Sequence, residues 1–258
     1  MIGLFDSGVG GITVLKVLEQ LLPNESFVYF SDSAHFPYGK KTPAELISYT
    51  TQITSFLLTH NIKLLVIPCH TASALALPTL QNLFSIPMIG MVEPTVKALK
   101  RENKRIAILA TEATIQSGIY QNAIQREIKD AVLFPLTSPE LIQRVEMGEP
   151  IPQELVRSCL KPILGKQVDT LLLASTHFPH LKKEIAEELD PQTIVLDPAL
   201  SVAEEVIRQL ERSANQTPEH LFYTSGNLEL FQKFLKSNPP RAKFEVRAFK
   251  QSDAVLKN

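Results

Sequence analysis

Cysteine is nearly absent from this chain of 258 residues: only Cys69 and Cys159 occur, and there is no tryptophan. Two thiols so far apart predict reduced side chains rather than a structural bridge. The opening residues Met1-Ile2-Gly3-Leu4-Phe5-Asp6-Ser7 lack a basic stretch and meet an acid at Asp6, so no ordinary export signal is expected. An excess of one charge is missing too. The 26 Lys and Arg stand against 27 Asp and Glu, a net charge of -1 that offers no field for nucleic acid or an anionic membrane. No apolar run approaches the ~20 residues of a membrane-spanning helix. With 10 Gly and 18 Pro, collagen-like and low-complexity compositions are excluded, and 44% hydrophobic residues suffice for one large or two modest domains. The expected compartment is the cytoplasm.

What is present is a succession of short apolar runs, at 2–5, 27–30, 64–67, 88–92, 105–110, 131–134, 170–174 and 194–196. They are too short for helices and lack strict alternation, as suits strands buried on both faces. Between them lie segments with helical spacing, such as 43–60 with Leu46, Ile53, Phe56 and Leu57 on one face, and 179–189 with interleaved acids and lysines. This alternation predicts an α/β fold with parallel sheets.

Three strand-to-loop junctions recur at nearly constant offset. Phe5-Asp6-Ser7 precedes Ala110-Thr111-Glu112 by 105 positions, Phe27 precedes Val132 by 105, and the run from Leu65 to Cys69 precedes that from Leu171 to Ser175 by 106. The expectation is two pseudo-symmetric α/β domains, residues 1–93 plus 206–258 and residues 94–205, with a ligand cleft where the C-terminal ends of their strands face each other. A helix-like segment near 205, strands at 221–223 and 244–249 and a helix at 228–235 are expected to complete the first domain.

Cys69 ends one apolar run and opens a helical stretch, His70-Thr71-Ala72-Ser73-Ala74, so its thiolate would meet free backbone N–H groups. The opposing view, a small buried hydrophobe, is the commoner lot of free cysteine. Cys159 lies on a helical pattern and reads as structural. The matching junction, Ala174-Ser175-Thr176-His177-Phe178-Pro179-His180, carries Ser175 where the repeat would put a thiol, with His177 able to exchange protons near neutrality. Cys69, His70, His177 and His180 as metal ligands are disfavoured, because no compact ligand pair is present.

In Asp6-Ser7-Gly8-Val9-Gly10-Gly11 the glycines would let the backbone approach a ligand closely. As a dinucleotide or phosphate fingerprint the stretch fails, having Thr13 at the third glycine position and no Gly-Lys-Ser/Thr. Asp6 reads as a helix cap or as an acid that holds an ammonium or a catalytic group. Pro37-Tyr38-Gly39 reads as a rigid turn presenting N–H groups and a phenol. Glu146 taken alone reads as solvated charge.

Together the Asp6–Gly11 run, Pro37-Tyr38-Gly39, the Cys69 to Ala74 stretch, Val145-Glu146, Ser175-Thr176-His177-Phe178-Pro179, and Asp197 with Thr224-Ser225-Gly226 resemble the glutamate racemases of the aspartate/glutamate racemase superfamily, over essentially the whole chain. The resemblance implies cofactor-independent interconversion of L- and D-glutamate for peptidoglycan, by two cysteines on opposite faces of the α-carbon. It also implies a homodimer. Cys69 matches one cysteine, Asp6 and Ser7 its supporting loop, and Glu146 and His177 the pair assisting the other. Ser7, Pro37, Tyr38, Gly39, His70, Thr71, Ser73, Thr176 and His177 match substrate-holding positions, and Asp6 also falls among them. Two departures stand out: His70 where the family has Asn, and Ser175 where it has Cys. An alcohol is far less acidic than a thiol, and each pKa unit is worth ~1.4 kcal/mol, so a serine half-reaction is expected to be orders of magnitude slower unless His177 substitutes. The alternatives are a single-thiol relative with another substrate or reaction (aspartate racemase, isomerase or decarboxylase) and a non-catalytic amino-acid-binding protein.

Overall fold

The structure, a computed structural model, describes residues 1–210 and 217–250. The parts of the expected first domain at 211–216 and 251–258 lie outside the described residues. Among the described residues ten strands form two sheets, β1 (Ile2–Asp6), β2 (Phe27–Ser31), β3 (Leu64–Ile67), β4 (Met88–Gly90), β5 (Arg105–Ala110), β6 (Val132–Thr137), β7 (Thr170–Ala174), β8 (Ile194–Leu196), β9 (Glu219–Thr224) and β10 (Lys243–Ala248). The first sheet runs β10-β9-β2-β1-β3-β4 and the second β6-β5-β7-β8, with every pairing parallel.

The order β2-β1-β3-β4 in one sheet and β6-β5-β7-β8 in the other is the same winding used twice, which is the physical content of the offset repeat. β9 and β10 return to extend the first sheet beside β2. Helices pack on both faces of each sheet, giving four apolar clusters. Strand alternation sorts the side chains between them: Phe27 and Tyr29 face one cluster, Val28 and Phe30 the other. The helix Ala199–Gln209 follows the second sheet in sequence, yet its Ala199, Val202, Ala203 and Val206 join the first sheet's core.

Several elements differ from expectation. The run 88–92 stops being a strand at Gly90, and Val92 begins the helix Val92–Ala98, whose early Pro94 has no N–H for a ladder and is tolerated in a first turn. β6 continues to Thr137 through Pro135, which a sheet edge permits. As edge strands, β6 and β10 are largely exposed rather than buried on both faces. The stretch 179–189 opens as a 3-10 turn, Phe178–Leu181, before the helix Lys182–Glu188. The helix Pro43–Leu58 matches its periodicity, and Thr42 with Glu45 closes a capping box at its start.

The glycines after β1 serve an unexpected purpose: they let the loop approach the other half of the protein. A Cβ on Gly8 would stand 2.2 Å from the Glu146 carboxylate, and one on Gly10 would stand 2.3 Å from the Thr176 hydroxyl and 3.1 Å from its backbone carbon. Gly10→Ala is therefore expected to force the two halves apart at their joint and cost ~1–3 kcal/mol, as overpacking does. Urea denaturation checks this; a midpoint and slope equal to wild type would contradict it.

Candidate active site

The C-terminal ends of β1, β3, β5 and β7 converge on a small cavity of about 20 Å³, far below the ~300–1,000 Å³ typical of ligand pockets. From the first half it is lined by Asp6, Ser7, Pro37, Tyr38, Gly39, Cys69, His70 and Thr71, and from the second by Ser175, Thr176 and His177. Sequence reasoning missed three further lining residues, Phe36, Thr111 and Ile142. Thr111 had a signal, since it stands at the end of β5 where the offset repeat matches Asp6. Phe36 and Ile142 are apolar side chains with none.

Cys69 precedes the helix His70–Leu75, and its sulfur accepts the Ala72 N–H at 3.5 Å. The expected stabilisation of the thiolate is outweighed. Burial first, then the Asp6 carboxylate, push the Cys69 thiol well above its ordinary range, while the Ala72 and Ser7 N–H groups pull the other way. Burial wins that contest, and Cys69 is held toward the neutral thiol. Asp6 is itself raised by burial, against the opposing charge of His177. Its Oδ2 accepts the Gly11 N–H at 2.6 Å and the Thr176 hydroxyl at 3.2 Å, whereas its buried Oδ1 has no hydrogen-bond partner. Asp6 thus supports the loop ahead of the helix Ile12–Leu21 and reaches across to the second half.

On that second half Glu146 is no solvated charge. One of its oxygens receives His177 Nε2 at 2.8 Å, and both lie 3.2 Å from the Val9 N–H of the first half. The Glu146 and His177 side chains are 8% and 4% exposed. Burial alone would lower the His177 pKa, but the hydrogen bond and charge of Glu146, aided by Asp6, raise it above the ordinary 6.5. The other ring nitrogen, Nδ1, stands 3.4 Å from Ser175 Oγ. Serine, imidazole and carboxylate therefore form one line. The serine contact is long for a hydrogen bond, as is common for acid–base groups before substrate tightens the site.

Other positions resolve as follows. Thr71 meets Thr111 at 2.9 Å and Thr114 at 3.3 Å, a hydroxyl cluster joining the halves. His70 bonds Tyr120 through Nδ1 at 2.7 Å, and burial drops its pKa to about 3, so its ring is neutral. Tyr38 lines the cavity, but its hydroxyl is not presented there: it donates to Asp32 at 2.6 Å. Ser73 lies outside the cavity altogether. Its hydroxyl donates to the Ile67 carbonyl at 2.9 Å and accepts the Met91 N–H at 3.0 Å, tying the ends of β3 and β4. Cys159 sits on the helix Gln153–Leu160 against the second sheet's core, its thiol pushed up to about 11 by burial. His180 is exposed. Among the described residues no three His, Cys, Asp or Glu side chains gather as a metal would need, and no helix is long and apolar enough to cross a membrane.

The family model for Asp/Glu/Hydantoin racemase matches residues 2–206. A protein of Oceanobacillus iheyensis named glutamate racemase is 35% identical, the match covering 98% of this chain and 96% of that one. The crystal structure of glutamate racemase isoform RacE1 from Bacillus anthracis superposes with a TM-score of 0.90 at 29% identity, covering 97% of each chain. The glutamate racemase of Francisella tularensis in complex with D-glutamate gives 0.84 at 28% identity, with 95% and 96% covered.

The buried pair makes a pH-dependent prediction. His177 is raised in the folded state, so its ion pair with Glu146 contributes fully below the unfolded-state value of ~6.5 and fades as pH climbs through the folded-state value. In Glu146→Gln the burial effect prevails, and nuclear magnetic resonance titration is expected to find the His177 pKa below 6.5 instead of above it. The same variant is expected to lose more stability at pH 6 than at pH 9. A His177 titration unmoved by the substitution contradicts this account.

Proposed function

The chain belongs to the Asp/Glu/Hydantoin racemase family, and from that premise we propose that it interconverts L- and D-glutamate without a cofactor. The observation that carries the reading is the arrival of two different proton-exchanging units at one cavity. A thiol, Cys69, comes from the end of β3, and a Ser175–His177–Glu146 line comes from the second half. Racemisation needs proton exchange at both faces of a single carbon, and a cavity served by one unit from each half supplies the means.

In this reading neutral His177 takes the α-proton of one enantiomer through the Ser175 hydroxyl: Ser175 accepts the carbon-bound proton while passing its own to Nδ1. The carbanion then receives the Cys69 S–H proton on its other face, leaving thiolate and imidazolium. The opposite enantiomer runs these steps backwards. The raised pKa of His177 keeps an imidazolium available near neutrality, which a lone serine could not offer. A substrate ammonium arriving beside Asp6 would offset the negative charge that opposes ionisation of Cys69. Ser7, Gly39, Thr71 and Thr176, with neutral His70, would hold the carboxylates and the ammonium, and Pro37 and Tyr38 would wall the site.

The two lobes of the reading are residues 1–93 with 206–258 and residues 94–205, with the helix Ala199–Gln209 packed across to the first. By the same resemblance the proposed setting is the cytoplasm, with a homodimer supplying D-glutamate to peptidoglycan.

Enantiomers have equal free energy, so asymmetry between the faces cannot bias the equilibrium; it appears in the rate of α-hydrogen exchange from each side. In deuterium oxide one glutamate enantiomer is expected to exchange its α-hydrogen faster than the other. Ser175→Cys is expected to raise racemisation by about tenfold or more, one pKa unit being worth ~1.4 kcal/mol, and Cys69→Ala to abolish it. Absence of exchange from either enantiomer, in wild type and in Ser175→Cys alike, sinks the reading.

A further inference from the structure

Thr224-Ser225-Gly226 starts at the last residue of β9, beyond residues 2–206 matched by the family model, and none of the three lines the cavity. Its place in the structure is beside the segment that does. Asp32, just past the end of β2, is 2% exposed and meets three side chains: the Tyr38 hydroxyl at 2.6 Å, the Ser225 hydroxyl at 2.7 Å and His35 Nδ1 at 2.9 Å. A carboxylate only accepts, so all three donate.

Their origins differ in a way that matters. His35 and Tyr38 lie three and six residues from Asp32, so their bonds fold the segment onto itself. Ser225 is the donor that comes from another part of the chain, 193 residues away. It also accepts the Ala34 N–H at 3.1 Å, its own N–H donates to the Ser31 carbonyl at 3.0 Å, and the Thr224 hydroxyl meets that of Ser33 at 2.9 Å. The far end of the segment, Phe36, Pro37, Tyr38 and Gly39, is a wall of the cavity. Phe36 also lies against the His177 ring, with centroids 5.6 Å apart.

We propose that Ser225 is a positioning residue of the active site: it anchors Asp32, and through the Asp32–Tyr38 bond it holds the 36–39 wall where substrate is bound. The racemase reading of the cavity is its premise. The role belongs to substrate binding rather than to proton transfer, because the wall meets the ligand before and during the reaction alike, and loosening it removes uniform binding.

The test is steady-state racemisation of glutamate by wild type, Ser225→Ala and Ser225→Thr, with amide hydrogen exchange measured on the same three proteins. Ser225→Ala is expected to raise KM about tenfold with kcat within about threefold, and to speed exchange at residues 33–40 while the strands keep their protection. That tenfold is one interaction of ~1.4 kcal/mol. Ser225→Thr, which keeps the hydroxyl, is expected to restore both. Ser225→Cys, a weaker donor of similar size, gives a smaller rise in KM and serves if the alanine variant does not fold. An unchanged KM with unchanged exchange overturns the proposal, as does a loss confined to kcat or to the folded fraction. A wild-type protein inactive on both enantiomers overturns the racemase premise instead. The anchoring claim is then decided by exchange at residues 33–40 alone: faster in Ser225→Ala supports it, unchanged overturns it.

Discussion

The carboxylate of Glu146 is held from two directions, by the ring of His177 in its own half and by the backbone N–H of Val9 in the other. Much of the cleft depends on that double grip. Beside it the Thr176 hydroxyl crosses back to Asp6, and Gly8 and Gly10 leave no room for a side chain between the halves. The joint between the two sheets is therefore made of titratable and hydroxyl groups that line or adjoin the cavity. Charges buried at such a joint strengthen each other only while the geometry holds, and separating one from its partner is costly.

The same joint supports the proposed use of a serine at the second seat. Burial lifts Cys69 toward the neutral thiol and Asp6 toward the neutral acid, whereas His177 is lifted toward its charged form because Glu146 overcomes burial. In the proposed reaction the Cys69 sulfur serves one face and the His177 imidazole the other, the thiol holding a proton while the neutral ring takes one. A serine beside such a ring can hand a proton on without ever becoming an alkoxide of appreciable lifetime. The chemistry at the two faces differs, though the thermodynamics of racemisation remain symmetric.

The sheets were legible because burial leaves a plain mark: β1, β2, β3 and β7 are buried at every residue, and uninterrupted apolar runs are what such strands require. Cys69, Ser175 and His177 were legible as polar residues at the ends of those runs. Less accessible was the use each polar group makes of its neighbours. Ser73 reads like Thr71 in sequence, yet two helical positions turn its hydroxyl to the Ile67 carbonyl and away from the cavity. Tyr38 gives its hydroxyl to Asp32, and Tyr120 finds His70 across 50 residues. Such pairings are set by which strands lie side by side, and spacing along the chain does not encode them. Glu146 is the sharpest case, since nothing local separates a surface glutamate from one that clasps two halves.

The repeat is thus one of scaffold more than of chemistry. At the ends of β3 and β7 the reactive residues are Cys69 and Ser175, but at the matching ends of β1 and β5 stand Asp6 and Thr111, an acid and an alcohol. The second half recruits its acid from a different element, the helix Pro139–Met147 that carries Glu146. As a result both carboxylates act on one imidazole, Glu146 by direct contact and Asp6 through its charge, while the ring beside Cys69, that of His70, is neutral and bonded to Tyr120. Duplication supplies two loops aimed at a common point; in the proposed reaction the unequal placing of two acids around His177 goes with different proton carriers at the two faces. A serine at the second seat fits that inequality, because the imidazole behind it already has the charge environment that proton exchange requires.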